Sequence, residues 1–158
     1  MKTIVLIRHA KTNVAPRDQD RQLVTVGIQR TQKLGEYLKQ MSIKPDIMYS
    51  SSALRAVETA GFIASHVGQN PDEIHYTKNL YLTHEEEYFK ILTALDNSIN
   101  TVLFVGHNPE VTDVVRFFIP DYKGYMRTSE CYCIDIHSDT WEHMFTAKKE
   151  IRFSRLFK

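Results

Sequence analysis

The sequence is poor in most features that mark a specialised scaffold. It has two cysteines in 158 residues, too few for the disulfide framework of a small secreted domain. These two, Cys131 and Cys133, share one face of an apolar stretch that reads as a strand, where extended backbone holds i and i+2 near the far limit for a disulfide. Two buried, reduced thiols are expected. The formal net charge is +1, which advertises no nucleic acid, membrane surface or acidic partner. Any charge that matters must be local. The first apolar run, Thr3 to Ile7, is far shorter than a signal-peptide core or a membrane span, so a cytoplasmic protein is expected. Six glycines and five prolines form no linker, and there is no internal repeat or low-complexity segment. A single domain over residues 1–158, large enough to bury a sizeable core, is expected.

Short apolar runs alternate with helical patterns, the signature of βαβ units in a three-layer α/β/α fold with a mainly parallel central sheet. Thr3 to Ile7 is apolar throughout, as suits a central strand buried on both faces. Thr25 is placed to cap a helix that carries Ile28, Leu34, Tyr37, Leu38 and Met41 on one face, with Pro45 beyond it. Asp46 to Tyr49 reads as a second strand, Ser50 to Ser52 as a turn, and Ala53 to Val67 as a helix closed by Gly68. Ile74 to Thr77 reads as a third strand, Glu85 to Leu95 as a helix, Thr101 to Val105 as a strand, and Glu110 to Ile119 as a helix stopped by Pro120. Cys131 to Ile136 and Trp141 to Ala147, joined by residues 137–140, read as a closing antiparallel pair.

Ligands of parallel α/β sheets bind beyond the carboxyl ends of the strands. Three polar groups stand there: Arg8-His9, Arg55 after the serine turn, and Gly106-His107-Asn108-Pro109. If their strands are neighbours, two arginines and two histidines share one crevice. Guanidinium and imidazole donors beside helix N-termini suit an oxyanion, whether phosphate, sulfate or carboxylate. Phosphoryl transfer is favoured by a histidine that attacks through a neutral ring nitrogen while its other nitrogen is held by an acceptor. His9 is placed for that role, with Arg8 and Arg55 neutralising charge on the transferred group and His107 donating to it.

Arg8-His9-Ala10 resembles the Arg-His-Gly signature of the histidine phosphatase superfamily, with alanine for glycine. Ser50-Ser51-Ser52-Ala53-Leu54-Arg55-Ala56-Val57-Glu58-Thr59-Ala60 resembles the family's serine-then-Arg-Ala-x-x-Thr segment, and Val105 to Pro109 its Gly-His block, in the family order. The small size, Ala10 and the loop ending Arg21-Gln22-Leu23-Val24-Thr25-Val26-Gly27 resemble the SixA-type branch, where Asp18 fits the family's aspartate spacing better than Asp20, and Gln22 replaces a proline. The resemblance implies a phosphoglycerate mutase-like fold and a metal-independent phosphatase with a phosphohistidine intermediate on His9. It also makes Arg21 a further phosphate contact.

Superfamily members acting on alkyl esters take a proton from an acidic residue after the third strand. Glu85, Glu86 and Glu87 lie near that segment, and Glu85 is the candidate, although a solvated helix cap explains them equally well. A phosphoramidate needs less acid help, so phosphohistidine in a protein is the preferred substrate class. A small phosphate ester and a non-catalytic phosphate-recognition module are the alternatives. Thr12 and Asn13 are placed to touch phosphate or to cap their loop, and Ser51 to offer its hydroxyl or backbone N–H to the anion while capping the following helix. Glu58 is placed to steady Arg55. His66, His75, His84, His137 and His143 have no ligand spacing, so no metal site is indicated. The basic, apolar tail Ala147 to Lys158 is expected to pack its apolar residues on the domain.

Overall fold

The computed structural model describes residues 1–158. Six strands form one sheet in the order β3-β2-β4-β1-β5-β6. They are β1 (Lys2–Arg8), β2 (Ile47–Ser51), β3 (His75–Thr77), β4 (Thr101–Gly106), β5 (Glu130–Ile136) and β6 (Lys149–Leu156). β3, β2, β4 and β1 pair in parallel, and β5 and β6 add an antiparallel edge. Four α-helices accompany them: α1 (Thr25–Gln40), α2 (Leu54–His66), α3 (Glu86–Ala94) and α4 (Glu110–Phe118).

The alternation of β1 side chains divides the core in two. Val5 and Ile7 pack with Leu34 and Leu38 of α1 and Ile63 of α2, whereas Ile4 and Leu6 pack with Leu92 of α3 and Val114 and Phe118 of α4. Helices therefore cover both faces, and the expected three-layer arrangement is observed. Cys131 and Cys133 of β5 are free and buried. Burial pushes each thiol up to about 12, far from a reactive thiolate. No helix is long and apolar enough to cross a membrane.

Several local expectations are corrected. Trp141 to Ala147 is a series of turns, and the partner of β5 is β6, drawn from the tail. Trp141 is fully buried and donates its indole N–H to the Ile99 carbonyl at 2.8 Å. The apolar tail residues do pack on the protein, with Phe153 and Phe157 against Tyr37. Ser50 and Ser51 extend β2 instead of forming a turn, since Ser51 lies opposite Thr77 of β3. Thr25 is the first residue of α1 and not its cap; that position is taken by Val24. The α2 cap is Ala53, two residues beyond Ser51. Gly68, with φ of 76°, follows the end of α2 in the left-handed region.

Candidate active site

The sheet order decides the site. β1 and β4 are neighbours with Arg8 opposite Gly106, so His9 and His107 leave adjacent strands side by side, their ring centroids 5.1 Å apart. β2 flanks β4 on its other side and delivers Ser51, and one turn later α2 presents Arg55. The antiparallel β5 begins where β1 ends, and Ser129 N–H donates to the Arg8 carbonyl at 3.2 Å. This brings Thr128 to the same end of the sheet.

The result is a cavity of about 310 Å³ lined by Arg8, His9, Lys11, Thr12, Arg21, Arg55, His107, Asn108 and Thr128. Four of these side chains are cationic, none is acidic and none is hydrophobic. Arg8 and Arg55 are held differently. Arg8 donates from Nη1 to the Met126 carbonyl at 3.0 Å, and its buried Nε has no partner. Arg55 donates to Asp18 from both terminal nitrogens, at 2.8 and 3.0 Å, and its Nε points at His9 Nε2 from 3.3 Å.

These contacts define the His9 tautomer. Nδ1 lies 2.8 Å from the Ala10 carbonyl, which can only accept, so Nδ1 carries the proton. Nε2, facing the Arg55 Nε–H, is then the lone-pair nitrogen. Burial is the largest influence on the ring, and with His107, Arg55 and Arg8 it outweighs the Ala10 bond, taking the pKa down to about 3. His9 is therefore neutral at physiological pH. His107 is lowered to about 4, first by burial and then by Arg55. Its Nε2 lies 2.7 Å from Ser51 Oγ, which also accepts the Ala53 N–H at 3.2 Å. The other ring nitrogen, Nδ1, is buried with no partner in the protein.

The predicted residues divide as follows. Arg8, His9, Arg55 and His107 converge, and Thr12 and Arg21 join them, with Arg21 Nη2 donating to Thr12 Oγ1 at 2.6 Å. Ser51 is fully buried behind His107 and does not line the cavity, so the expected direct contact with an anion is not found. Asn13 caps its own loop, accepting the Gln22 N–H at 2.9 Å. Glu58 accepts the Leu23 N–H at 3.1 Å and makes no ion pair with Arg55. Glu85 does not reach the cavity either: it stands at the start of α3, and the chain leaving β3 presents Tyr81, four residues earlier, to the His107 ring at 5.6 Å. Glu87 pairs with Lys90 at 2.9 Å and Glu86 is exposed. Lys11, Asn108 and Thr128 went unpredicted as lining residues. Lys11 was findable, two residues beyond His9; Thr128 is brought in only by strand pairing.

A family model described as histidine phosphatase superfamily (branch 1) matches residues 4–84. The chain belongs to that superfamily and is a phosphatase. Among curated relatives, an uncharacterized Mycobacterium leprae protein is 29% identical over 115 residues, 68% of each chain. Among solved structures, the SixA chain of Nakamurella multipartitia has a TM-score of 0.84 at 22% identity, covering 98% of this chain and 95% of that one. The protein histidine phosphatase SixA complexed with tungstate has a TM-score of 0.81 at 20% identity, covering 96% and 95%. A mycobacterial glucosyl-3-phosphoglycerate phosphatase has a TM-score of 0.73 at 16% identity, covering 97% and 98%. The phosphoglycerate mutase-like fold of the histidine phosphatases is thus shared across chains of quite different sequence.

Proposed function

We propose that this histidine phosphatase works without a metal through a phosphohistidine intermediate on His9, and that its substrate is phosphohistidine in a protein. The observation that carries the reading is the unprotonated Nε2 of His9 at the wall of a cavity with four cations and no acid. In the first step Nε2 attacks phosphorus in line, forming the Nε2–P bond as the bond to the leaving nitrogen breaks, and a substrate imidazole that was protonated departs neutral. In the second, water cleaves the Nε2–P bond, releases inorganic phosphate and restores His9. Arg8 and Arg55 neutralise charge on the equatorial oxygens, with Arg21 and Thr12 as further contacts, and His107 donates a hydrogen bond.

The lining favours a phosphoramidate over an ester. An alkoxide needs a proton as it leaves, yet Glu85 is outside the cavity and no other acid lines it. Asp18, the nearest carboxylate in the network, is held down to about 2, chiefly by the Tyr81 hydroxyl and then by Arg55, and is a poor acid. Tungstate, the ligand named for the SixA neighbour, is a tetrahedral oxyanion like the one proposed here.

The experiment is turnover of a phosphohistidine protein in the presence of a chelator, wild type against His9→Ala, followed by trapping with labelled substrate in an alkaline denaturing quench, which preserves the N–P bond. Full wild-type activity with chelator, no activity in the variant and label on His9 are expected. Label on another residue overturns the mechanism. A clearly preferred sugar or nucleotide phosphate overturns the substrate class, and tight phosphate binding without turnover favours a recognition module.

A further inference from the structure

We propose that Asp18 is a positioning residue for the phosphoryl transfer: from outside the cavity it fixes the plane of Arg55, with Tyr81 holding its carboxylate in place. The inference rests on the assignment of Arg55 to the phosphoryl group.

Arg55 has little freedom. Its Nη1 donates to the Asp18 carbonyl at 2.8 Å and its Nη2 to Asp18 Oδ2 at 3.0 Å. Two bonds from one residue to both ends of a planar fork define its orientation, not merely its neighbourhood. That orientation aims the third edge, Nε–H, at His9 Nε2. Asp18 is fixed in turn. Tyr81 Oη donates to the same Oδ2 at 2.6 Å, and Arg21 approaches Oδ1 at 3.4 Å. The Tyr81 ring lies 5.9 Å from the Arg55 guanidinium carbon and 5.6 Å from the His107 ring, so the aspartate, both arginines and both histidines are linked through direct contacts.

The loop that carries Asp18 is closed at its base. Thr12 bridges Leu23, Asn13 N–H donates to the Gln22 carbonyl at 2.9 Å, and Arg21 Nε donates to the Asn13 carbonyl at 2.9 Å. Leu23 N–H is anchored on Glu58 of α2, the helix that carries Arg55. The loop tip and the arginine it grips therefore share a frame.

A carboxylate beside an anion site has a cost. It offsets positive charge meant for the phosphate, so an aspartate that served ground-state binding alone would be a liability. Its benefit must lie in orientation, which affects the transition state more than the bound state. Losing it therefore lowers the rate without weakening phosphate binding, a separation that a merely structural loop residue would not produce.

The test compares wild type, Asp18→Asn, Asp18→Glu, Tyr81→Phe, Arg55→Lys and the Asp18→Asn/Arg55→Lys double variant. The readouts are kcat on a phosphohistidine peptide, Ki for inorganic phosphate and thermal melting. Asp18→Asn is expected to lower kcat about 10- to 100-fold while phosphate inhibits as strongly as in wild type or more so. Asp18→Glu, which keeps the charge, is expected to recover part of the loss, and Tyr81→Phe to lose only several-fold. In the Arg55→Lys background, Asp18→Asn is expected to change kcat less than about threefold, because the group it orients is gone. Wild-type kcat in Asp18→Asn overturns the proposal, as do multiplicative single effects or weakened phosphate inhibition that parallels the loss of rate. If Arg55→Lys is itself at the wild-type rate, the assignment of the site fails along with the proposal. If Arg55→Lys is slow and Asp18→Asn is normal, the proposal fails alone.

Discussion

Arg55 Nε–H faces His9 Nε2 across 3.3 Å, so the lone pair assigned to the nucleophile is covered by an arginine assigned to the phosphoryl group. In the mechanism proposed above, an entering phosphoryl group would compete for that N–H and, by accepting the bond, free the His9 lone pair to attack phosphorus.

The rate of His9 phosphorylation is expected to show no acid limb from His9 between pH 5 and 8, since the ring is lowered to about 3. Rapid-quench measurement of phosphoenzyme formation, corrected for ionisation of the substrate, checks this. An inflection near the ordinary histidine value of about 6.5 would show that burial does not hold the ring neutral.

The same depression makes the fold sensitive to acid. Below about pH 6.5 the unfolded chain protonates both rings, whereas native His9 and His107 resist until about 3 and about 4. The unfolded state then binds more protons, so stability falls as pH drops through that window and is unaffected by these groups above it. Denaturant unfolding at pH 7.5 and pH 5 is expected to show a loss roughly 1–2 kcal/mol smaller in His9→Gln than in wild type.

Ser51→Ala removes the hydroxyl that holds His107 Nε2 and accepts the Ala53 N–H. A loss of about tenfold or more in kcat is expected from the misdirected ring, with stability lowered by about 1–2 kcal/mol. Stopped-flow turnover and chemical denaturation separate the two effects, and unchanged kcat would leave Ser51 a purely structural residue.

Gly106 is needed for contact, not for backbone freedom. A Cβ there would overlap Tyr88 Oη, a buried hydroxyl with no partner, and sit 3.1 Å from Val111 Cγ1. Gly106→Ala is expected to destabilise by about 2–4 kcal/mol. Adding Tyr88→Phe, which removes the closest atom, is expected to restore part of that, as melting curves of the double-mutant cycle would show.

The Arg152–Asp135 ion pair ties the edge strand to the sheet. Arg152 donates to Asp135 at 2.6 and 2.9 Å and to Thr3 Oγ1 at 3.1 Å, linking β6, β5 and β1. Arg152→Ala leaves Asp135, only 7% exposed, without its cation, and a cost of about 1–3 kcal/mol is expected in denaturant unfolding.

The elements that line up on His9 were legible because local rules govern them. An apolar strand ending on Arg8-His9, a Gly-His block after another apolar strand, and helices closed by Gly68 and Pro120 each follow from periodicity and backbone restriction within a few residues. Local rules failed where a distant surface competed. Trp141 to Ala147 has strand-forming residues, but the buried indole donates to the Ile99 carbonyl and the tail takes the sheet edge instead.

By itself, then, the sequence determined the alternation of strands and helices, the identity of the two histidines and two arginines, and an oxyanion chemistry for them. Tertiary structure alone decided that β2, β4 and β1 are neighbours, that Glu85 is outside the cavity while Lys11 and Thr128 are inside, and that Asp18 grips Arg55. The reason is physical: composition and spacing encode what a side chain can do, but its partners depend on which strands lie side by side. That order is fixed by burying both faces of one sheet at once.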